Sequence, residues 1–427
     1  MKSSVLVVSL WLGVFASGAS AADVSIYGNV SQTLEASDNY FLANAPSGYT
    51  LKPLSAVTLD ALVATPTTRY LLDTNYSYYK YSGPGAADTN LTWGTPASAT
   101  FSINNADKLT KYNLAASWKR DDVATTLLTQ TGTAAGRGTF DTYAIDGGVT
   151  RNLSRLDSIS WSAHASTVSY SDPTQTPYVD FSTTAAWNHN INATTTLTNS
   201  ANFDWFSQDN EVKSQRLFWQ FMTGLQSQLT PRLSFNGQVG AAFVNAYQKG
   251  EIQLIMPPGV FQQKVGTAQG WTGNIGLNYK LLKDTRVSLN AARSIVPTIY
   301  GQLQRIESIG LTLNHDINFF ASLTFFTQFS HLETAETANT GPTASDNFTA
   351  SADFGYKLAR EWRANLSYTY RQKNDATGLA KSSTVLIKLA RDFTLYGKRA
   401  AAVEKTPSEL AQESLARAQL AFPNSIP

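Results

Sequence analysis

Polar and apolar residues alternate along most of the chain, in segments of about ten residues each. In the segment 158–166, every second position is Ser or His, and the positions between them are Ile, Trp, Ala and Ala. Successive side chains of a β-strand point to opposite faces, so this pattern predicts a strand with one polar and one apolar face. The same alternation recurs at 179–188, 196–205, 216–226 and 362–371.

Three properties of these strands favour a sheet that spans a membrane over a soluble β-sandwich. Strands of about ten residues cross a bilayer when they are tilted. Their apolar faces end in Trp, Tyr or Phe, which suits the aromatic girdles at the two membrane interfaces. Their polar faces carry small residues such as Ser, Thr and Asn, with few of the Lys and Glu residues that cover soluble sheets.

Short turn segments recur along the chain and predict a series of hairpins. Each interval between them holds an ascending strand, a longer loop and a descending strand, as in outer-membrane barrels. An interval of 52 residues, longer than the others, predicts an enlarged loop at 249–270. The turns centre on Leu153, Ile191, Leu229, Leu281, Ile317 and Leu358.

The predicted fold class is all-β: a transmembrane, antiparallel, up-and-down β-barrel of about 18–20 strands. The first strand is predicted at 24–34 and the last at 384–393. The hairpin at 90–103 alternates weakly, and without it the count is about eighteen, still the even number that a single-chain bacterial barrel needs. Closure removes the exposed strand edges that lipid does not tolerate.

The N-terminus predicts a secretory signal peptide, residues 1–21. Lys2 supplies a positive charge, 5–16 is an apolar run too short to span a bilayer, and Ala19-Ser20-Ala21 fits the small-x-small cleavage rule. An uncleaved anchor helix is the alternative. A secreted barrel of this kind is expected in the outer membrane of the cell, in contact with its lipid.

The barrel is expected to occupy 22–397, and a periplasmic tail to follow at 398–427. Thr406-Pro407-Ser408-Glu409 is a good helix start, with Thr as the cap, Pro at the first helical position and Glu three residues after the cap. A short C-terminal helix is therefore predicted. Three roles are open for it: plugging the lumen, contacting a periplasmic partner, or trailing free.

Composition and motifs narrow the classes of function. Charged residues are 15 % of the chain and the net charge is +2, so no nucleic-acid surface is predicted. No GxSxG, P-loop or dinucleotide motif stands in a supporting context, and we predict that the protein is not an enzyme. The chain has no Cys, and its His residues lack the spacing of metal ligands, so no metal or other cofactor is predicted; they are His164, His189, His315 and His331.

Charged residues on the polar faces are the candidates for function, because these faces should line the lumen. Their signs are mixed, so strong selectivity for anions or cations is not predicted. They can form cross-strand salt bridges that stiffen the wall, or set a transverse field that selects solutes. Phe218 and Phe326 can also face inward and stack on sugars. The candidates are His164, Asp180, Asp204, Arg216, Lys280, Asp353, Lys357, Arg363 and Arg371.

Three segments resemble a known family: 38–42 (DNYFL), 69–81 (RYLLDTNYSYYKY) and 229–234 (LTPRLS). They are similar to the outer-membrane "β-barrel porin 2" type proteins, which are associated with exopolysaccharide biosynthesis and exosortase systems. The resemblance implies passage or export of saccharide polymers or small solutes. The chain departs from the family in a compressed region between Gly83 and Leu114 and in its long tail.

Three functional hypotheses follow. The first is a channel for solutes or saccharide polymers, gated by the loop at 249–270 or by the tail, with polysaccharide or a periplasmic export component as partner. The second is a non-conducting structural or surface-binding barrel that recognises its partner through external loops. The third is a barrel enzyme acting on lipid or glycan, for which His164 on its Ser-lined wall is the one candidate residue.

Overall fold

The computed structural model describes the chain from residue 23 to residue 397, with gaps at 89–92, 124–125, 127–137, 174, 209–213, 252–259, 298–302 and 335–342. Antiparallel strands make up nearly all of this part of the chain. The first ten are β1 (Asp23–Ser37), β2 (Thr50–Ala64), β3 (Thr68–Lys80), β4 (Trp93–Gly94), β5 (Ala97–Ala106), β6 (Thr110–Asp122), β7 (Thr139–Asn152), β8 (Asp157–Tyr170), β9 (Tyr178–Asn192) and β10 (Thr195–Gln208). The rest are β11 (Ser214–Thr230), β12 (Leu233–Glu251), β13 (Val260–Leu282), β14 (Thr285–Pro297), β15 (Leu303–Asp316), β16 (Ala321–Thr334), β17 (Thr343–Lys357), β18 (Trp362–Asp375) and β19 (Gly378–Tyr396).

These strands form one closed barrel. β1 pairs with β2 on one side and with β19 on the other, so the sheet has no free edge at its ends. The two-residue β4 pairs only with β3, which continues the ring by pairing with β5; within the described residues the ring therefore has eighteen strands. A 3₁₀ helix, Pro84–Asp88, lies between β3 and β4. No helix in the described part of the chain is long and apolar enough to cross a membrane.

The predicted fold class is confirmed, and the strand count takes the lower predicted value. The weak hairpin at 90–103 contributes a full barrel strand, β5. The prediction of an enlarged loop at 249–270 was wrong, because β12 continues to Glu251 and β13 begins at Val260. The signal peptide, 1–21, and the C-terminal helix lie outside the described residues and stay predictions.

The two ends of the barrel differ in their connections. At one end, every strand pair is joined by two to four residues, as at 153–156, 193–194, 231–232 and 283–284. At the other end most connections are longer, such as 38–49 between β1 and β2, although β18 and β19 are joined there by only two residues, 376–377. In barrels of this kind the short turns are periplasmic and the long loops are extracellular. The N-terminal end of β1 and the C-terminal end of β19 therefore both lie on the periplasmic side.

The strands separate apolar from polar side chains as the alternation predicts. Large apolar side chains cover the outside of the wall; for example, Trp161 is 53 % exposed and Leu311 is 42 % exposed. The opposite face carries mainly Ser, Thr, Asn and Gln together with charged residues. A hydrocarbon solvent outside and water inside favour this distribution, which is the reverse of a soluble protein's.

Adjacent residues of β15 test this assignment of faces. Leu311 points outward and lies five residues from the periplasmic end of its strand, near the middle of the apolar band, whereas Thr312 points inward. We expect Leu311→Arg to lower the free energy of unfolding in lipid vesicles by about 2–4 kcal/mol, because an arginine at the midplane must leave water. Thr312→Arg, the matched control, should change it by much less. Equal losses in urea titrations would contradict the assignment.

Candidate functional site

All nine predicted lumen residues lie on the inner face, and most of them fall into two groups. His164, Asp180, Asp204 and Arg216 stand on four consecutive strands, β8 to β11. Lys280 lies apart, on β13. The second group stands on β17 and β18 and consists of Asp353, Lys357, Arg363 and Arg371.

The first group forms a predominantly acidic wall. One row across the strands reads Asp146, His164, Ser182, Asp204, each directly opposite the next. His164 Nδ1 lies 2.7 Å from Asp146 Oδ1, so the imidazole is held against a carboxylate. Asp180 lies one row nearer the extracellular end, opposite Ser166. Three carboxylates thus share one sector of the lumen, and Asp146 is a member that the sequence did not reveal.

An arginine limits the negative charge of this wall at its extracellular end. The Arg216 guanidinium stacks over the Phe206 ring at 4.4 Å, and the rings of Phe206 and Tyr178 are 4.9 Å apart. Arg216 and Phe206 are each only 3 % exposed. A cation that lies over an aromatic ring and is buried in this way is fixed in place.

Cations dominate the opposite wall. Arg371 and Lys373 on β18, and Lys388 on β19, point into the lumen. β9 and β18 are nine strands apart in a ring of eighteen described strands, which places them across the barrel from each other. Lys373 also contacts Asp375, with Nζ 2.6 Å from Oδ2. The acidic and the basic wall therefore face each other.

The two walls also lie at similar depths. Asp204 is nine residues from the periplasmic end of β10, and Arg371 is nine residues from the periplasmic end of β18. Because strands in one barrel share a common tilt, equal offsets from the periplasmic turns correspond to similar heights. A solute passing this level lies between carboxylates on one side and an arginine on the other.

Other predicted residues serve the wall itself. Arg363 Nη2 donates to Asp392 Oδ1 at 2.7 Å, and Asn29 Nδ2 donates to the same oxygen at 2.7 Å. These three residues stand on β18, β19 and β1, the strands at which the barrel closes. Arg363 therefore takes part in a cross-strand contact that stiffens the wall, one of the two predicted roles of the lumen charges.

The geometry gives no support to a catalytic role for His164. Ser182 stands directly opposite it, but the described residues show no hydrogen bond between the two side chains. No group of three or more His, Cys, Asp and Glu residues in the described part of the chain converges closely enough to hold a metal ion. The row can offer hydrogen bonds and charge to a solute, and nothing in it resembles an activated nucleophile.

The extracellular mouth of the lumen is narrowed by the connection 38–49, here called the mouth loop. Tyr40, Phe41 and Leu42 pack inward against Tyr79 and Tyr81 of the wall. The segments 38–42 and 76–81 therefore meet in space. Asn39 fastens the loop to β19, because its Nδ2 donates to the carbonyl oxygen of residue 381 at 2.9 Å.

One buried lysine organises the packing under the mouth loop. Lys52 Nζ lies 5.0, 4.6 and 5.5 Å from the ring centres of Tyr40, Tyr79 and Tyr81. It also donates a hydrogen bond of 2.7 Å to the Tyr40 hydroxyl. Burial raises the pKa of Tyr40 above that of an exposed tyrosine, so the phenol stays neutral. Glu35, with Oε2 3.8 Å from Nζ, supplies the opposite charge.

One solved structure shares the fold, and two further structures are similar over most of the chain. The ferric citrate transporter FecA, unliganded, is 7 % identical over 88 % of this chain and 79 % of its own, with a TM-score of 0.51. Acinetobacter baumannii OccAB4 is 10 % identical over 87 % and 98 %, with a TM-score of 0.46. Pseudomonas aeruginosa OpdK with vanillate is 9 % identical over 87 % and 99 %, with a TM-score of 0.48. No family model and no curated sequence matches the chain.

Tyr40, Tyr79 and Tyr81 surround Lys52 and are here called the tyrosine cage. This packing generates a testable prediction. Lys52→Gln removes the cation from three rings at once, and a desolvated cation–π contact is worth about 2 kcal/mol. We expect faster hydrogen exchange at 38–49 and easier cleavage of the mouth loop by protease, with the barrel intact. Lys381→Gln, an exposed lysine beside the same loop, is the control. Unchanged exchange in the Lys52 variant would show that the cage does not hold the loop.

Proposed function

We propose that this protein is an outer-membrane channel for hydrophilic solutes. The observation that carries the proposal is the closed ring of eighteen described strands with a polar, charged inner face. Barrels of 16–18 strands are wide enough to leave an aqueous lumen, whereas those of about eight strands are filled by their own side chains. Charges on the inner face keep water in the lumen and make it unsuitable for lipid.

Passage through such a lumen needs no chemical step. A solute enters past the mouth loop, which narrows one side of the opening, and diffuses along a wall of hydroxyl and amide groups. Halfway down it meets the acidic wall at Asp180 and Asp204 and the basic wall at Arg371. Rings and opposed rows of charge of this kind set the selectivity of pores.

Saccharides are the solute class that we favour, including polymers in exopolysaccharide secretion. The family resemblance of 38–42, 69–81 and 229–234 implies this class. The inner face is suited to it, because sugars hydrogen-bond to Ser, Thr, Asn and Gln and stack on rings such as Phe218 and Phe326. A non-conducting surface-binding barrel is the second candidate, favoured by the aromatic packing of the mouth loop inside the opening.

Conductance of the refolded protein in a planar bilayer tests the channel function directly. We expect steady single-channel steps from the full chain, and a matched measurement on a chain truncated after Lys398 separates the tail from the barrel. Steps seen only after truncation would make the tail a plug. Silence in both forms would overturn the proposal and leave the surface-binding barrel.

The opposed walls predict the direction of ion selectivity. Asp180→Asn with Asp204→Asn should shift the reversal potential in a salt gradient toward anions, because two carboxylates leave the acidic wall. Arg371→Gln should shift it toward cations. A local change of about 1 kcal/mol corresponds to roughly a five-fold change in partition between the ions. Shifts of the same sign in both variants would contradict a transverse field.

A further inference from the structure

A carboxyl group is buried beside the tyrosine cage, at the extracellular end of β6. Asp122 is 1 % exposed, and neither of its side-chain oxygen atoms has a hydrogen-bond partner in the described part of the chain. It is the last of the 13 residues of β6, a strand that begins at a short periplasmic turn. Because about nine to eleven residues of a tilted strand cross a bilayer, Asp122 lies beyond the membrane, at the mouth of the lumen.

Tyr79 connects Asp122 to the packing under the mouth loop. A Cβ atom placed on Gly94 would collide with the Tyr79 hydroxyl group and also with Asp122 Oδ2, so the two polar groups converge on the same point of β4. The Tyr79 ring packs against Tyr81, with ring centres 5.1 Å apart, and belongs to the same cluster as Tyr40 of the mouth loop. Water that reaches Tyr79 when the loop lifts therefore also reaches Asp122.

The charged groups around Asp122 are already engaged with other partners. Lys52 of β2 is the cation that favours the ionised form of Asp122, but its ammonium group donates to the Tyr40 hydroxyl at 2.7 Å and faces Glu35 of β1 at 3.8 Å. On β6 and β7 the neighbouring charges are paired with each other, Lys119 with Asp121 and Arg120 with Asp141. The remaining titratable groups around the cage are Tyr79, Tyr81 and Arg371 of β18.

Burial therefore favours the protonated form of Asp122. A carboxylate that leaves water without gaining a hydrogen bond is strongly disfavoured, whereas the neutral acid is tolerated. Desolvation raises the pKa of Asp122 to about 6, against the opposing effect of the Lys52 charge. When the mouth loop lifts and water enters, this pKa returns toward its ordinary value of about 4. The closed loop thus holds the proton more tightly than the open loop, so low pH favours closure.

We propose that the mouth loop, 38–49, is a pH-sensitive lid on the extracellular opening, held closed by protonation of Asp122. Closure is most favourable below about pH 4 and weakens as the pH rises to about 6. A difference of about two between the pKa values of the closed and open states lowers the ratio of closed to open loops roughly a hundred-fold over this range. The movement itself does not depend on conduction, whereas its effect on a current rests on the proposed channel function.

A nitroxide label on the loop measures this movement in the refolded full chain. The chain has no Cys, so Ala45→Cys, at an exposed position of the loop, provides a single labelling site. We expect the ratio of mobile to immobile label to rise roughly ten-fold or more between about pH 4.5 and about pH 7. Asp122→Asn, which copies the neutral acid, should keep the label immobile throughout.

Asp121→Asn is the matched control, because it removes the neighbouring carboxylate, which is paired with Lys119, and should leave the pH response unchanged. Heat-modifiable mobility on gels checks that each variant is folded. A label whose mobility is independent of pH in the barrel with native Asp122 overturns the proposal. A pH response that survives Asp122→Asn, or that is lost equally in the control, overturns the role of Asp122.

Conductance measurements separate the lid from the channel function. In a conducting barrel, lowering the pH on the extracellular side from about 7 to about 4.5 should reduce the open probability roughly in proportion to the fraction of closed loops. Conductance together with a label that ignores pH would remove the lid and keep the channel. A pH-dependent label that responds to Asp122→Asn, in a barrel that is silent in the bilayer, would remove the channel and keep the lid.

Discussion

The backbone hydrogen bond is the interaction on which this structure depends. Inside hydrocarbon no water is available to an unpaired N–H or C=O group, and each such group costs several kcal/mol. A sheet can meet this demand only by closing, and the register between β1 and β19, from Ile26–Tyr396 to Ser37–Thr384, provides the closure. Gly28 lies under the Phe393 ring there, where a Cβ atom would collide with the ring. The Arg363–Asp392–Asn29 contacts reinforce the same seam from inside.

In a closed barrel each strand has lipid on its outer face and water on its inner face. This difference between the two faces made much of the chain predictable. Alternation between Ser or Thr and Trp or Leu identified the strands, their faces and the nine inner residues, because the period of a strand is two. The same rule failed at 249–270. There β12 ends at Glu251 and β13 begins at Val260, so both strands are longer than a bilayer needs. In the sequence, Pro257-Pro258-Gly259 had indicated the centre of a larger loop.

The alternation of polar and apolar residues could not predict which strands face each other across the lumen. Asp180 and Arg371 face each other only because nine strands separate them in a ring of eighteen within the described residues, and a count of twenty would have paired different walls. Asp146 joined the acidic wall through its register with His164, which depends on the length of the turn at 153–156. The tyrosine cage around Lys52 forms only because the mouth loop folds inward. This tertiary arrangement leaves no periodic pattern in the sequence from which it could be predicted.

In the proposed channel, opposed charges at mid-depth set a field across the pore, which orients a solute but binds it weakly, since water still screens both walls. Weak orientation allows flux together with selection, because conduction requires that binding remain reversible along the path. The fixed barrel supplies this field without any movement of the wall.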